Sequence, residues 1–278
     1  MPPNDRPIRS DAFSTENASL DNESVPWARI LGIKINKFTR DSLHAVIQHI
    51  VKNQKKALIA HVNAHGLNVA DSYTWFAEFL NSADYVFCDG HGVMLGARML
   101  GLRIPEKITY ADWLPELAEM CATEKFSLFL LGGRIGIAKR AADNLAAAYP
   151  GLEIVGTHHG YFEKHRNDEG NRRLIECIND AKPNILVVAF GMPLQESWLR
   201  ENWEDIDANI ALTAGAALDY ASGQLRRPPA WMSRCSLEWL GRLFIEPRRL
   251  WRRYLVGNPM FILRICRELL ILGRGRGG

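Results

Sequence analysis

The hydrophobic positions of this chain fall into short unbroken runs separated by longer stretches of helical period. WARILGIKI, KALIAHVNA and DYVFCDG read as strands in the first third. TRDSLHAVIQHIVKN reads as an amphipathic helix with Thr39 or Asp41 near its cap. HGLNVADSYTWFAEFLNSA predicts a further helix. The middle of the chain alternates more regularly. KFSLFLLGG, GLEIVGTHHGYF and NILVVAFG predict strands, and NIALTAGAALDY predicts a strand with a loop after it. Between them, RIGIAKRAADNLAAAYP (closed by Pro150), NRRLIECINDAKP and MPLQESWLRENW predict helices. Unbroken apolar strands alternating with amphipathic helices predict an α/β fold: a mostly parallel, Rossmann-like sheet flanked by helices on both faces. From about Arg234 the pattern becomes two helical segments separated by GNP, with Asn258 as cap of the second and Pro259 in its first turn. The expected organisation is a polar, disordered leader over 1–25, an α/β core over 26–233 and a basic, helical, membrane-associating appendage over 234–278.

Composition adds limits. The 278 residues are 47% hydrophobic and 23% charged, with a net charge of only +3, so the balance does not point to nucleic acid as a partner. The distribution says more. Between Arg226 and Arg276 arginines are frequent and the acids are Glu238, Glu246 and Glu268, a local field suited to phosphates or an anionic membrane surface. Five scattered cysteines without a CxxC predict buried free thiols rather than a metal site or disulfide framework. The first residues lack the apolar segment of a signal peptide, and no run of about 20 apolar residues predicts a membrane span.

In open α/β sheets ligands bind beyond the carboxyl ends of the strands. Five unusual loops are expected there. They hold His61 and Asn63; Asp89 with Gly90, His91 and Gly92; Gly132 and Gly133; Gly191 to Glu196, including Met192 and Gln195; and Gly215 to Asp219. The Gly132–Gly133 pair can bring backbone N–H groups to a phosphate, or simply make a turn. Asp89 can act as a general base or as an Asx-turn residue. Gln195, Glu196 and Asp219 can face a nucleotide or complete helix caps. The absence of GxGxxG argues against a dinucleotide-binding enzyme, the competing soluble reading. A non-catalytic nucleotide-sugar-binding protein is the third. His61, His65, His91, His158 and His159 follow no ligand spacing, so no metal or other cofactor is expected.

Taken in order, VNAHGLN, FCDGHGV, FLLGG, IVGTHHGYF, VVAFGMPLQESW, AGAALDYASGQLRRPP and LEWLGRLFIEPRRLWRRY resemble the WecG/TagA/CpsF family of bacterial glycosyltransferases, over about Trp27 to Arg253. The resemblance implies a metal-independent, inverting transfer from a UDP-sugar donor to a polyprenyl-diphosphate-linked sugar, in surface or exopolysaccharide biosynthesis. The enzyme would be cytoplasmic and peripheral on the inner face of the plasma membrane, and a homo-oligomer is left open. It implies Asp89 as catalytic base and Asn63 as a substrate contact. Nucleotide contacts would lie around Gly132, Gly133, Gly191, Gln195 and Asp219. His61 stands where the family often has Thr, and Lys107 where it often has Arg. Lys107, Arg226, Arg227, Arg242, Arg248, Arg249, Arg252 and Arg253 are the cations available to balance diphosphates, and Arg242, Arg249 and Arg253 fall on one helical face. The VNAH variant is similar to the xanthan-type branch, which implies glucose as the transferred sugar; N-acetylmannosamine or its uronic acid is the alternative. The appendage would dock on the membrane, or else pack on its own body or a second copy.

Overall fold

The computed structural model describes residues 24–229, 232 and 237–274. The leader up to position 23, the expected boundary at 233/234 and Cys235 lie outside the described residues. The segment expected as one first strand is a hairpin, β1 (Trp27–Ile30) and β2 (Ile33–Asn36). Leu31 and Gly32 between them both have positive φ, as two-residue hairpin turns require. Helix α1 (Arg40–Lys52) is capped by Thr39, whose hydroxyl accepts from the Ser42 N–H at 3.2 Å. After β3 (Ala57–Val62), the expected single helix divides at the extended residue Tyr73 into α2 (Ala64–Ser72) and α3 (Thr74–Ser82). Then come β4 (Tyr85–Cys88) and two helices, α4 (His91–Met99) and α5 (Tyr110–Glu124), in a stretch where the sequence pattern predicts no element.

The middle follows expectation closely: β5 (Ser127–Gly132), α6 (Ile137–Ala148), β6 (Glu153–His158), α7 (Glu169–Ala181), β7 (Ile185–Ala189), α8 (Leu194–Asn202) and β8 (Ile210–Thr213). The expected loop after β8 contains one short helix, α9 (Ala217–Ala221). Strands β3 to β8 form one parallel sheet in the order β4-β3-β8-β7-β5-β6. Successive side chains of each strand feed opposite faces. Ala57 and Ile59 of β3 join one core with Leu128, Leu130, Ile185 and Val187, under α1, α5 and α6. Leu58, Ala60 and Val62 join the other with Phe129, Leu131, Leu186 and Val188, under α2, α3, α4 and α8. That is why the strands read as unbroken apolar runs. Cys88 and Cys121 are buried in these cores, whereas Cys177 and Cys266 are exposed, against expectation.

The C-terminal segment breaks elsewhere than expected. Helix α10 (Glu238–Ile245) ends at Glu246, and Pro247 opens α11 (Pro247–Trp251), a position where no N–H is needed. A π-helical turn (Arg252–Val256) then runs into α12 (Gly257–Arg274), so Asn258 and Pro259 are helical rather than a boundary. The wider π turn lies just ahead of Pro259, whose missing N–H and ring would disturb an α-helical ladder.

Helix α12 docks into the second core through Phe261 and Ile265. A Cβ on Gly96 of α4 would stand 2.7 Å from the Phe261 ring, so glycine there sets the approach. Arg264 donates to the Asn68 carbonyl at 3.0 Å and side-chain oxygen at 2.7 Å, and pairs with Asp71 at 2.7 Å. Glu268 accepts from the Leu31 N–H at 3.0 Å. Among the described residues no helix is long and apolar enough to cross a membrane.

Candidate active site

Strand β5 leads outward to β6, while β7 leads the other way to β8, so a crevice opens at the carboxyl ends between them. It widens into a cleft of about 1200 Å³ roofed by α10, α11, the π turn and the start of α12. Of the expected residues, His61, Asn63, Asp89, Gly133, Gly191, Met192, Gly215, Asp219, Arg242, Arg249, Arg252 and Arg253 line it. Residues 134, 161, 164, 190 and 220 line it too, and sequence reasoning passed over them; Arg134 follows the glycine pair directly, the one local signal available.

Asp89 follows β4, and its N–H donates to the Val62 carbonyl at 2.8 Å, which ties it to the end of β3. Gly90 after it has φ 93°, turning the chain into α4. Asn63 caps α2 through the Gly66 N–H at 3.0 Å and donates weakly to Asp89 Oδ2 at 3.4 Å. His61 Nε2 stands 3.9 Å from the same oxygen. Tyr110 meets His61 edge-on at 5.3 Å between ring centroids, and its buried hydroxyl has no partner among the described residues. Burial and the Asp89 charge push that phenol well above its ordinary pKa.

Opposite stand Arg242 and Arg253. Neither has a carboxylate within ion-pair distance among the described residues. The Arg242 Nε is buried without a partner among the described residues, and its guanidinium lies 5.7 Å from the Tyr220 ring. Burial pulls the Arg253 pKa below its ordinary value; Arg242 and Arg249 pull the same way, and Tyr254 and Asp89 oppose them. Two desolvated cations held near each other are costly unless an anion occupies the space between them. His65, on the cleft wall, is lowered to about 4 by burial and by Arg253, and is therefore neutral.

Arg252 also reaches the cleft lining, 5.1 Å from the Trp251 ring centroid; the other expected cations are already engaged or lie apart. Lys107 faces Glu238 at 3.8 Å, Arg227 pairs with Asp112 at 2.7 Å, and Arg249 pairs with Glu246 at 2.7 Å while keeping its place on the cleft. Arg226 is exposed and lies outside the cleft lining, as does His91 at the start of α4. Gly132 is also outside it. A Cβ there would sit 2.4 Å from the Ala189 carbonyl oxygen, so this glycine serves the close approach of β5 and β7. The Gly133 N–H donates to that same carbonyl at 3.3 Å and is thus not free for a phosphate.

Gln195 and Glu196 are fully buried below the cleft floor. Gln195 Oε1 accepts from the Gly191 N–H at 3.2 Å and the Gly215 N–H at 2.9 Å, bracing the loops after β7 and β8 together. Its amide nitrogen donates to Glu196 Oε1 at 2.7 Å. Both residues shape the floor; neither reaches the cleft. Burial raises the Glu196 pKa to about 7, and its second oxygen has no partner among the described residues. Asp219 is likewise raised by burial, despite Arg249 and Arg134 nearby.

A carboxylate and two arginines without ion-pair partners among the described residues thus line one cleft at the edge of a parallel sheet. Comparison with known proteins gives the class of protein. Residues 28–275 match the Glycosyl transferase WecG/TagA/CpsF family, and the chain belongs to it. An N-acetylglucosaminyldiphosphoundecaprenol N-acetyl-beta-D-mannosaminyltransferase of Bacillus subtilis (strain 168) is 28% identical over 80% of this chain and 83% of its own length. The protein of the same name from Staphylococcus aureus (strain NCTC 8325 / PS 47) is 25% identical over 86% of this chain and 91% of its own. These relatives correct the expectation of a xanthan-type, glucose-adding branch: their names give N-acetylmannosaminyl transfer.

The buried carboxyl of Glu196 gives a stability prediction. Its folded pKa, about 7, lies above the ordinary 4.5, so the folded state holds a proton that the unfolded chain releases between those values. This group's contribution therefore falls as pH rises from about 4.5 to 7. Urea titrations of wild type and Glu196→Gln should show the wild-type stability declining relative to the variant across that window; parallel curves would place the Glu196 carboxyl in an ordinary, solvated setting.

Proposed function

We propose that this chain transfers N-acetylmannosamine from a UDP donor to N-acetylglucosaminyl-diphosphoundecaprenol at a membrane surface. The observation that carries the reading is the position of Asp89, at the carboxyl end of β4, across the cleft from the unpaired Arg242 and Arg253. The relatives' names supply the acceptor and the sugar. The reaction is a single displacement with inversion at the anomeric carbon. Asp89 takes the proton of the acceptor hydroxyl as that oxygen attacks, and the bond to the donor diphosphate breaks on the opposite face. Arg242 and Arg253 balance diphosphate charge, a task for which the fixed guanidinium fork is well suited. Gly133, Gly191, Met192, Gly215 and Asp219 form the nucleotide side of the cleft, and Asn63 the sugar side.

The roof carries the membrane contact. Phe244, Ile245, Trp251, Leu255, Val256, Met260, Leu263, Leu270 and Ile271 are exposed, and Arg248, Arg252 and Arg267 are exposed beside them. Leu250 and Tyr254 of the same segment are buried, Tyr254 against the Trp239 ring at 5.9 Å between centroids. An apolar surface flanked by arginines suits an anionic bilayer, at about 1 kcal/mol for each basic residue near it. Val256 and Met260 belong to both this surface and the cleft, which gives a lipid-linked sugar a route between them.

Two measurements test this. Purified protein is incubated with a short-chain polyprenyl-diphosphate-N-acetylglucosamine and a panel of UDP-sugars, and products are weighed. An N-acetylhexosamine adduct is expected from UDP-N-acetylmannosamine, with the rate reduced about 10²–10⁴-fold in a folded Asp89→Asn. A hexose adduct would restore glucose as the donor sugar, and full activity in Asp89→Asn would remove it as the base. For the membrane, deleting the C-terminal segment would strip Phe261 and Ile265 from the core, so point changes are the cleaner probe. Phe244→Ser, Trp251→Ser and Leu255→Ser together should abolish co-sedimentation with phosphatidylglycerol vesicles while leaving the thermal midpoint in place. Unchanged co-sedimentation would move the membrane contact elsewhere.

A further inference from the structure

His61 has a geometry that the reaction as described leaves unused. The ring is 3% exposed and sits on β3 facing Phe87 and Tyr110. Its Nδ1 lies 2.7 Å from the Thr213 carbonyl oxygen and 3.0 Å from the Thr213 hydroxyl. A carbonyl oxygen only accepts, so Nδ1 carries a hydrogen. The backbone repeats the tie, with the His61 N–H donating to the same hydroxyl at 3.0 Å. Burial lowers the imidazole pKa, Asp89 and the Thr213 bond oppose that, and Arg253 adds to it; the ring is neutral. A neutral ring with hydrogen on Nδ1 has a bare lone pair on Nε2. That nitrogen stands 3.9 Å from Asp89 Oδ2.

A carboxylate and an imidazole lone pair facing each other lack the one proton that would join them. We propose that His61 is a positioning residue that acts through Asp89, its Nε2 accepting a hydrogen bond from the Asp89 carboxyl once that group has taken the acceptor proton. The proposal rests on the transfer reaction above. The proton balance closes without a further reagent. The acceptor O–H bond breaks and its proton goes to Asp89. The acceptor oxygen bonds to the anomeric carbon, and the electron pair of the broken donor bond leaves on the diphosphate. The proton is then shared between Oδ2 and Nε2 until it passes to solvent after the products leave. Closing 3.9 Å to a hydrogen bond of about 2.8 Å asks only for small side-chain rotations. The Thr213 bonds keep the ring from turning its N–H toward Asp89, where it would hold the carboxylate in its charged form instead.

Two substitutions separate this role from packing. In His61→Asn the amide can keep the donor to the Thr213 carbonyl but leaves nothing at the Nε2 position. In His61→Gln an amide oxygen can reach that position and accept. The expected result is a fall in kcat on the order of 10-fold to 100-fold for His61→Asn, with KM unchanged, and partial recovery in His61→Gln. A His61→Asn enzyme with wild-type kcat, or a loss confined to KM, would overturn the proposal. A second readout does not depend on turnover. Nitrogen-15 NMR of histidine-labelled wild-type protein at neutral pH should show His61, assigned by its absence from His61→Asn or His61→Gln, protonated at Nδ1 and bare at Nε2. A proton on Nε2 would overturn the proposal whatever the activity. If wild type transfers no sugar from any donor in the panel, the functional reading fails, and the NMR result still decides the state of the Asp89–His61 pair.

Discussion

All six strands of the central sheet run in one direction, and the rest of the molecule is arranged by that constraint. Parallel strands need crossover helices, and these cover both faces, so the sheet has no wet face on which to build a site. The loops at the carboxyl ends are what remain. There the chain places Asp89 and Asn63 from neighbouring strands, and there Gln195 ties the loops after β7 and β8 into one floor. The sheet supplies a rigid edge but little positive charge. The two arginines come from the C-terminal helices, which are held at the cleft because α12 is anchored beside it by Arg264, Phe261 and Ile265. Fold and chemistry therefore meet at one junction: a roof fixed by apolar burial holds two unpaired arginines over a carboxylate.

Much of this was legible in the sequence because it depends on local pattern. Strand runs such as SLFLL and ILVVA are apolar on both faces and could hardly sit elsewhere than in a covered sheet. Asp89 and Asn63 stood out because several unusual loops were expected at one sheet edge and because their motifs resemble the family's; each alone could equally be a turn or cap residue, and Asn63 does cap α2. The Thr39 cap was visible as one of two neighbouring candidates, and geometry chose between them.

What was not legible depends on partners far apart in the chain. Lys107 and Arg227 look like free cations until Glu238 and Asp112 are found beside them. Gln195 and Glu196, polar residues at a helix start, suggest exposure; in fact their partners are the backbone of two loops and each other. The anchoring of α12 joins Arg264 to Asn68 across 196 positions, which no local window contains. The break at Pro247 rather than at GNP is a similar case. A proline can start a helix or interrupt one, and here the π turn before Pro259 lets the helix continue. The sugar could not be read from VNAH at all, because four residues at a strand end do not describe a sugar pocket; the family relatives were needed to redirect it.

The central claim is that Arg242 and Arg253 form a diphosphate seat opposite Asp89. The most direct test is the calorimetric affinity for inorganic pyrophosphate in the presence of EDTA, for wild type and for the Arg242→Met, Arg253→Met double variant. Pyrophosphate carries the chemistry shared by donor and acceptor, and EDTA removes any contribution from stray cations. The account predicts measurable binding by wild type and a loss of at least ~10-fold in the folded double variant, since hydrogen bonds to charged groups contribute about 1.5–3 kcal/mol each. Equal binding by the two proteins would contradict it.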